Sequence, residues 1–142
     1  MNRKTIVILI VLTAIFAVVA LTLLKKETTI ENVIISNNAD LIENEAKNTE
    51  DTQIEFTRES EIFAIILVKN ITKKDTISIK WEIIENITEK IVQDDKVIPK
   101  EEGSGELIVS LARKNNQHEI GKYKLSVSLN NQTPIIKEFT VK

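Results

Sequence analysis

Apolar positions follow three different rules along this chain, and each predicts a different element. From Thr5 to Leu24 no residue is charged. In a helix rising 1.5 Å per residue, that run would span a hydrocarbon core of roughly 30 Å. Its backbone polar groups would all be satisfied internally, as lipid requires. A transmembrane helix over 5–24 is expected, with membrane lipid as its partner. Residues 25–52 are polar and poor in aromatics and predict a solvated linker. Ile30 with Val33–Ile35, and Leu41 with Ile42, interrupt it at a spacing that allows one face of a short helix. A stray strand or a docking segment reads there as well.

From Gln53 onward the period becomes two. Ile77, Ile79, Trp81 and Ile83 alternate with Ser78, Lys80 and Glu82. Tyr123, Leu125, Val127 and Leu129 alternate with Lys122, Lys124, Ser126 and Ser128, and Leu107, Val109 and Leu111 behave alike. This is the half-buried strand pattern of an antiparallel sheet. Ile62–Lys69 is apolar almost throughout and fits a central strand covered on both faces. Seven strands are predicted, at about 53–58, 62–69, 76–84, 90–98, 105–112, 121–130 and 134–141, separated by turn-rich stretches. Short strands at this spacing predict an all-β, seven-stranded antiparallel β-sandwich over 53–142.

Composition removes several kinds of chemistry. The chain has no Cys, so disulfides, thiolate metal sites and a catalytic thiol are excluded. Net charge is −2 overall, but residues 25–52 hold three Lys against seven acids, while 53–142 is neutral. A neutral domain without a basic block argues against nucleic acid as a partner. Arg3 and Lys4, in the basic N-terminus 1–4, precede the apolar run, and Lys25 and Lys26 follow it. These flanks nearly balance, so the positive-inside rule decides little. A short basic start before an apolar run has the form of a signal-anchor, which places the C-terminal domain outside the cytoplasm. Cleavage after Val18-x-Ala20 competes with this reading, but the apolar run continues past that point. A pilin-like helix is a further alternative; no Glu lies early in the run, and no Gly or Ala stands at the Lys4–Thr5 junction.

Within 53–142, three features resemble an immunoglobulin-like or fibronectin type III-like domain. Trp81 falls on the third predicted strand, where such domains place a core Trp. Glu119-Ile-Gly121-Lys-Tyr123 resembles the D-x-G-x-Y corner that enters the sixth strand. Leu125 stands where antibody-type domains carry a Cys, and Ile65 or Ile66 would face it. The resemblance implies a core built on Trp81, Tyr123 and Leu125, with the Tyr123 hydroxyl bonded to nearby backbone. It extends to small ectodomains of membrane-anchored bacterial and archaeal proteins.

Candidate chemistry is sparse, and no cofactor or metal is expected. His118 is the only His and lies in a predicted loop. Ser104 or Ser110 could complete a triad with it, but no G-x-S-x-G elbow is present. Asp94, Asp95, Glu101 and Glu102 lack the spacing of a calcium loop. Gly103-Ser-Gly105 lacks the strand-to-helix context of a phosphate loop. Three N-x-T sequons, at Asn70, Asn86 and Asn131, are possible glycosylation sites, or turn residues where the host does not glycosylate. In an immunoglobulin-like topology the loops 70–75 and 130–133 share an end with the N-terminus. The opposite end would present Arg113, Lys114, Asn115, Asn116 and His118 as a contact loop. The expected function is therefore a non-catalytic, membrane-anchored module that contacts another envelope protein. A glycan- or small-ligand-binding adhesion module, or a filament subunit, is the alternative.

Overall fold

The computed structural model describes residues 27–38, 54–85 and 87–142. The expected basic N-terminus 1–4, the membrane helix over 5–24 and much of the expected linker lie outside the described residues. No described helix is long and apolar enough to cross a membrane.

The described fold is all-β. Its strands are β1 (Thr29–Ser36), β2 (Ile54–Phe56), β3 (Phe63–Ile71), β4 (Ile77–Glu85), β5 (Thr88–Val97), β6 (Gly103–Ser110), β7 (Gly121–Leu129) and β8 (Ile135–Val141). They form a three-stranded sheet in the order β1-β3-β6 and a five-stranded sheet in the order β2-β8-β7-β4-β5. Two expectations are corrected here. Among the described residues there are eight strands rather than seven, and β2 runs parallel to β8, whereas every other pair there is antiparallel.

The eighth strand is β1, inside the stretch expected to be linker. Its sequence carries both requirements of a buried edge. Val33 and Ile35 face the main core, and Ile34 faces the other way, onto Ile65. Ile30 reaches the same core face because the register with β3 shifts between Ile30 and Asn32. Such an irregularity re-aims the side chains on either side of it. β-branched residues suit this pleated, half-buried setting.

The two sheets bury one core between them. Val33, Ile35, Ala64, Ile66 and Val68 from one sheet join Ile77, Ile79, Trp81, Leu125, Val127 and Phe139 from the other. Trp81 and Leu125 are cross-strand partners and are both fully buried. Ile66 is the inward residue of the pair considered for facing Leu125; Ile65 points outward. Phe139 centres an aromatic cluster: Tyr123 stacks on it at 5.1 Å, while Trp81 and Phe56 meet it edge-on at 6.0 and 5.6 Å. The Tyr123 hydroxyl donates to the Glu119 carbonyl at 2.9 Å. Burial and the nearby Glu119 charge push its pKa up to about 12, against the opposing effect of that hydrogen bond. A Cβ at Gly121 would lie 3.1 Å from Ile83 Cδ1, so close approach of strands favours glycine there.

On the outer face of the larger sheet, Glu82 is buried beneath two lysines, Lys80 at 3.1 Å and Lys124 at 3.2 Å. Burial raises the Glu82 pKa, but bonds and charges from both lysines outweigh it and leave the pKa lowered. Lys124 also pairs with Glu89.

Candidate functional site

One end of the sandwich gathers the point where the chain enters and the turns that follow β3 and β7. Asp75 organises it. Its Oδ2 accepts from Thr72 N at 2.7 Å, Thr72 Oγ1 at 2.8 Å and Thr28 Oγ1 at 3.2 Å, and Oδ1 accepts from Asn130 Nδ2 at 2.7 Å. Asn130 Oδ1 in turn accepts from Thr76 N at 2.8 Å. The Asn130 bond, together with those from Thr72 and Thr28, holds the Asp75 pKa below its usual value despite burial. The single Thr28 hydroxyl proton is shared between Asp75 and the Asn70 carbonyl, 2.9 Å from Oγ1, and Asn70 Nδ2 donates to Glu27 O at 3.1 Å. Glu27 and Thr28 are thus fastened to the same end as loops 70–76 and 130–134.

The opposite end carries the predicted contact loop. Leu111 is buried, and its N–H donates to Ile62 O at 2.9 Å. Lys114 and Gln117 exchange two backbone bonds of 3.1 Å across Asn115 and Asn116. Both asparagines have positive φ, 53° and 60°, the signature of a primed two-residue hairpin turn. Asn130 and Asn131 repeat this at 50° and 61° in the β7–β8 turn. Asparagine tolerates this backbone region better than most residues with a side chain.

The structure brings Arg113, Lys114, Asn115 and Asn116 to this end and withdraws His118 from it. Lys114, Asn115 and Asn116 are exposed. Arg113 is held against a neighbouring turn, with Nη1 donating to Glu59 O at 2.8 Å and Nη2 to Glu61 Oε1 at 3.2 Å. His118, expected as a contact residue, is buried at 4% exposure. Its backbone N–H donates to Arg58 O at 2.9 Å, and its ring Nε2 lies 3.0 Å from Ser60 O. A carbonyl only accepts, so the proton is assigned to Nε2. Burial lowers its pKa; the Ser60 bond opposes this, and the Arg113 charge adds to it. His118 therefore braces the loop against residues 57–61. Those bracing residues lie some sixty positions upstream, and nothing local marks them.

Two exposed apolar side chains at this same end were not singled out from sequence. Ile87 is 98% exposed at the β4–β5 turn, and Ile120 is 64% exposed just before β7. Ile120 breaks the odd-numbered period that runs from Tyr123 to Leu129, whereas Ile87 continues the odd-numbered period of β4 into the turn and so carries no such mark. They share this end with exposed Lys114 and the Asn115–Asn116 tip.

Of the sequons, Asn70 is partly buried with its amide engaged, Asn131 is exposed, and Asn86 lies outside the described residues. Among the described residues no group of three or more His, Asp or Glu side chains is placed to hold a metal ion.

No family model matches the sequence, and no curated protein matches it. Among solved structures, the chain is similar to a beta-glucosidase from Listeria innocua in complex with glucose, at 11% identity and a TM-score of 0.44. A second structure of beta-glucosidase from that organism gives 12% and 0.45. Each match covers 82% of this chain and 16% of that enzyme, so the chain spans about a sixth of the enzyme's length.

Proposed function

We propose that this protein is a membrane-anchored, extracytoplasmic β-sandwich of immunoglobulin-like or fibronectin type III-like topology, acting as a non-catalytic interaction or structural module of a cell envelope. The observation that carries the reading is where the chain enters the fold. Lys25 and Lys26 alone separate the apolar run, which ends at Leu24, from Glu27. Glu27 is already tied to Asn70 at one end of the sandwich. A helix over 5–24 embedded in lipid would hold that end, with loops 70–76 and 130–134, against the headgroups. The opposite end would stand about 30 Å away, given strands of eight or nine residues at about 3.3 Å each. It would display Lys114, Asn115, Asn116, Ile87 and Ile120.

The topology adds support. The sheet pairing of β3 with β6, facing one built from β4, β5, β7 and β8, follows the two-sheet plan of these domains. β1 and β2 read as two halves of a first strand divided between the sheets. The buried Trp81 on β4 and the Tyr123 bond to Glu119 also support the reading, since such domains carry a core tryptophan and a corner tyrosine.

The chain has no Cys, so a single introduced one is unique. With Lys114→Cys, a membrane-impermeant maleimide should label the full-length protein on intact cells. Labelling only after lysis would overturn the extracytoplasmic placement.

A further inference from the structure

The sheets are unequal, and the difference opens one flank. β6 ends the smaller sheet and β5 ends the larger one. β3 pairs with one edge of β6, and the other edge has no strand partner among the described residues. An unpaired edge presents a row of N–H and C=O groups to any chain that can lie beside it.

At one end of this flank Gln93 closes the gap between the sheets. Its Nε2 donates to Ser110 O at 3.0 Å, and its Oε1 accepts from Ala112 N at 2.7 Å. At the other end the gap stays open. Leu107 and Val109 face the core, so the period of two makes Gly105 and Gly103 the next inward positions. They pair with the core residues Val68 and Ile71. A Cβ at either glycine would meet nothing within 4 Å. The space is a cleft of about 550 Å³, with Val68, Ile71, Ile77 and Val97 among its walls. Ile98, 63% exposed, also lines it. Between Asp94 and Glu106 the chain carries five acids against Lys96 and Lys100.

We infer that this flank binds an extended, basic segment of a partner polypeptide as an additional strand beside β6. Backbone pairing with β6 supplies the attachment, and one apolar side chain of the segment fills the space left by Gly103 and Gly105. Basic residues flanking that side chain meet Glu101, Glu102 and Glu106. This is strand addition, in which main-chain bonds give affinity and a side-chain pocket gives selectivity. A small apolar ligand would use the cleft alone and leave the β6 edge and the acidic rim unexplained. The inference rests on the interaction-module reading only in making the partner a protein; it does not require the membrane anchor.

The test uses the full-length protein in detergent micelles and two labelled synthetic decapeptides of alternating Val and Thr, one flanked by lysines and one by glutamates. The lysine peptide should bind, more weakly as salt rises, and hydrogen-exchange protection should increase within 103–110. Gly105 has an ordinary backbone conformation and open space around it, so Gly105→Val should keep or raise the melting temperature while weakening the peptide at least tenfold. The exposed double variant Glu101→Lys/Glu102→Lys should bind the glutamate peptide better than the lysine peptide. Equal affinity for Gly105→Val and the parent would overturn the inference. So would new protection confined to β1 or β5, or absence of peptide binding to the parent while dodecyltrimethylammonium binds. None of these results would alter the labelling of Lys114→Cys on cells.

Discussion

Replacing Ile35 with alanine separates a strand from a linker at residues 29–36. In the fold described here Ile35 is 4% exposed and belongs to the main core with Val33. Truncating a buried isoleucine costs about 2–5 kcal/mol, the transfer term plus the cavity left behind. For a domain of this size that lowers the melting temperature by roughly 10–20 °C. The assay is urea denaturation of a 27–142 fragment, followed by fluorescence of the single, fully buried Trp81. The midpoint should fall while the slope with urea stays constant, because the surface exposed on unfolding hardly changes. Glu31→Ala, at an exposed position of the same strand, should fall within about 0.5 kcal/mol of the parent. An Ile35→Ala loss no larger than that of Glu31→Ala would refute the packing of β1. A fragment beginning at residue 53 should then fold as well as the longer one.

Three further outcomes follow from individual contacts. Tyr123→Phe leaves the Glu119 carbonyl without its donor and should cost about 1–3 kcal/mol in urea melts. Asp75→Ala strips the acceptor from four donors at the entry end and should cost at least about 1.5–3 kcal/mol. Because folding lowers the Asp75 pKa below 3.8, its contribution should be intact above that pH and lost as pH falls below it. Folding also lowers the His118 pKa below 6.5, so the unfolded chain takes up the proton first. Stability should be unaffected by this group above about pH 6.5 and should decline as pH falls below that value, a phase that His118→Gln should remove from a pH series of melts.

Strands with a strict period of two were legible from sequence. The predicted 76–84 and 121–130 became Ile77–Glu85 and Gly121–Leu129, since alternating burial across one core leaves an unbroken trace. β1 was obscured because both of its faces are apolar at Val33–Ile35 and a register shift follows Ile30. Together these mimic the i, i+3, i+4 spacing of a helix face. The parallel pairing of β2 with β8 left no local sign, because it joins segments some eighty residues apart. Topology put Arg113 and the asparagine tip at the end opposite the loops 70–75 and 130–133, and the fold has them there. His118 was misjudged because its burial depends on the carbonyls of Arg58 and Ser60, which only the folded chain brings near. The cleft was hidden for a related reason: Gly103 and Gly105 read as a loose turn until pairing with β3 made them inward positions of a strand.

The most direct test of the anchored arrangement compares the two ends of the domain against a bilayer. Full-length protein carrying one fluorophore at Asn131→Cys or at Lys114→Cys would be reconstituted into liposomes with a quencher on the lipid headgroups. The account predicts strong quenching at residue 131, beside the chain's entry point, and little at residue 114. Equal quenching at both positions, or failure of the chain to partition into the liposomes, would contradict it.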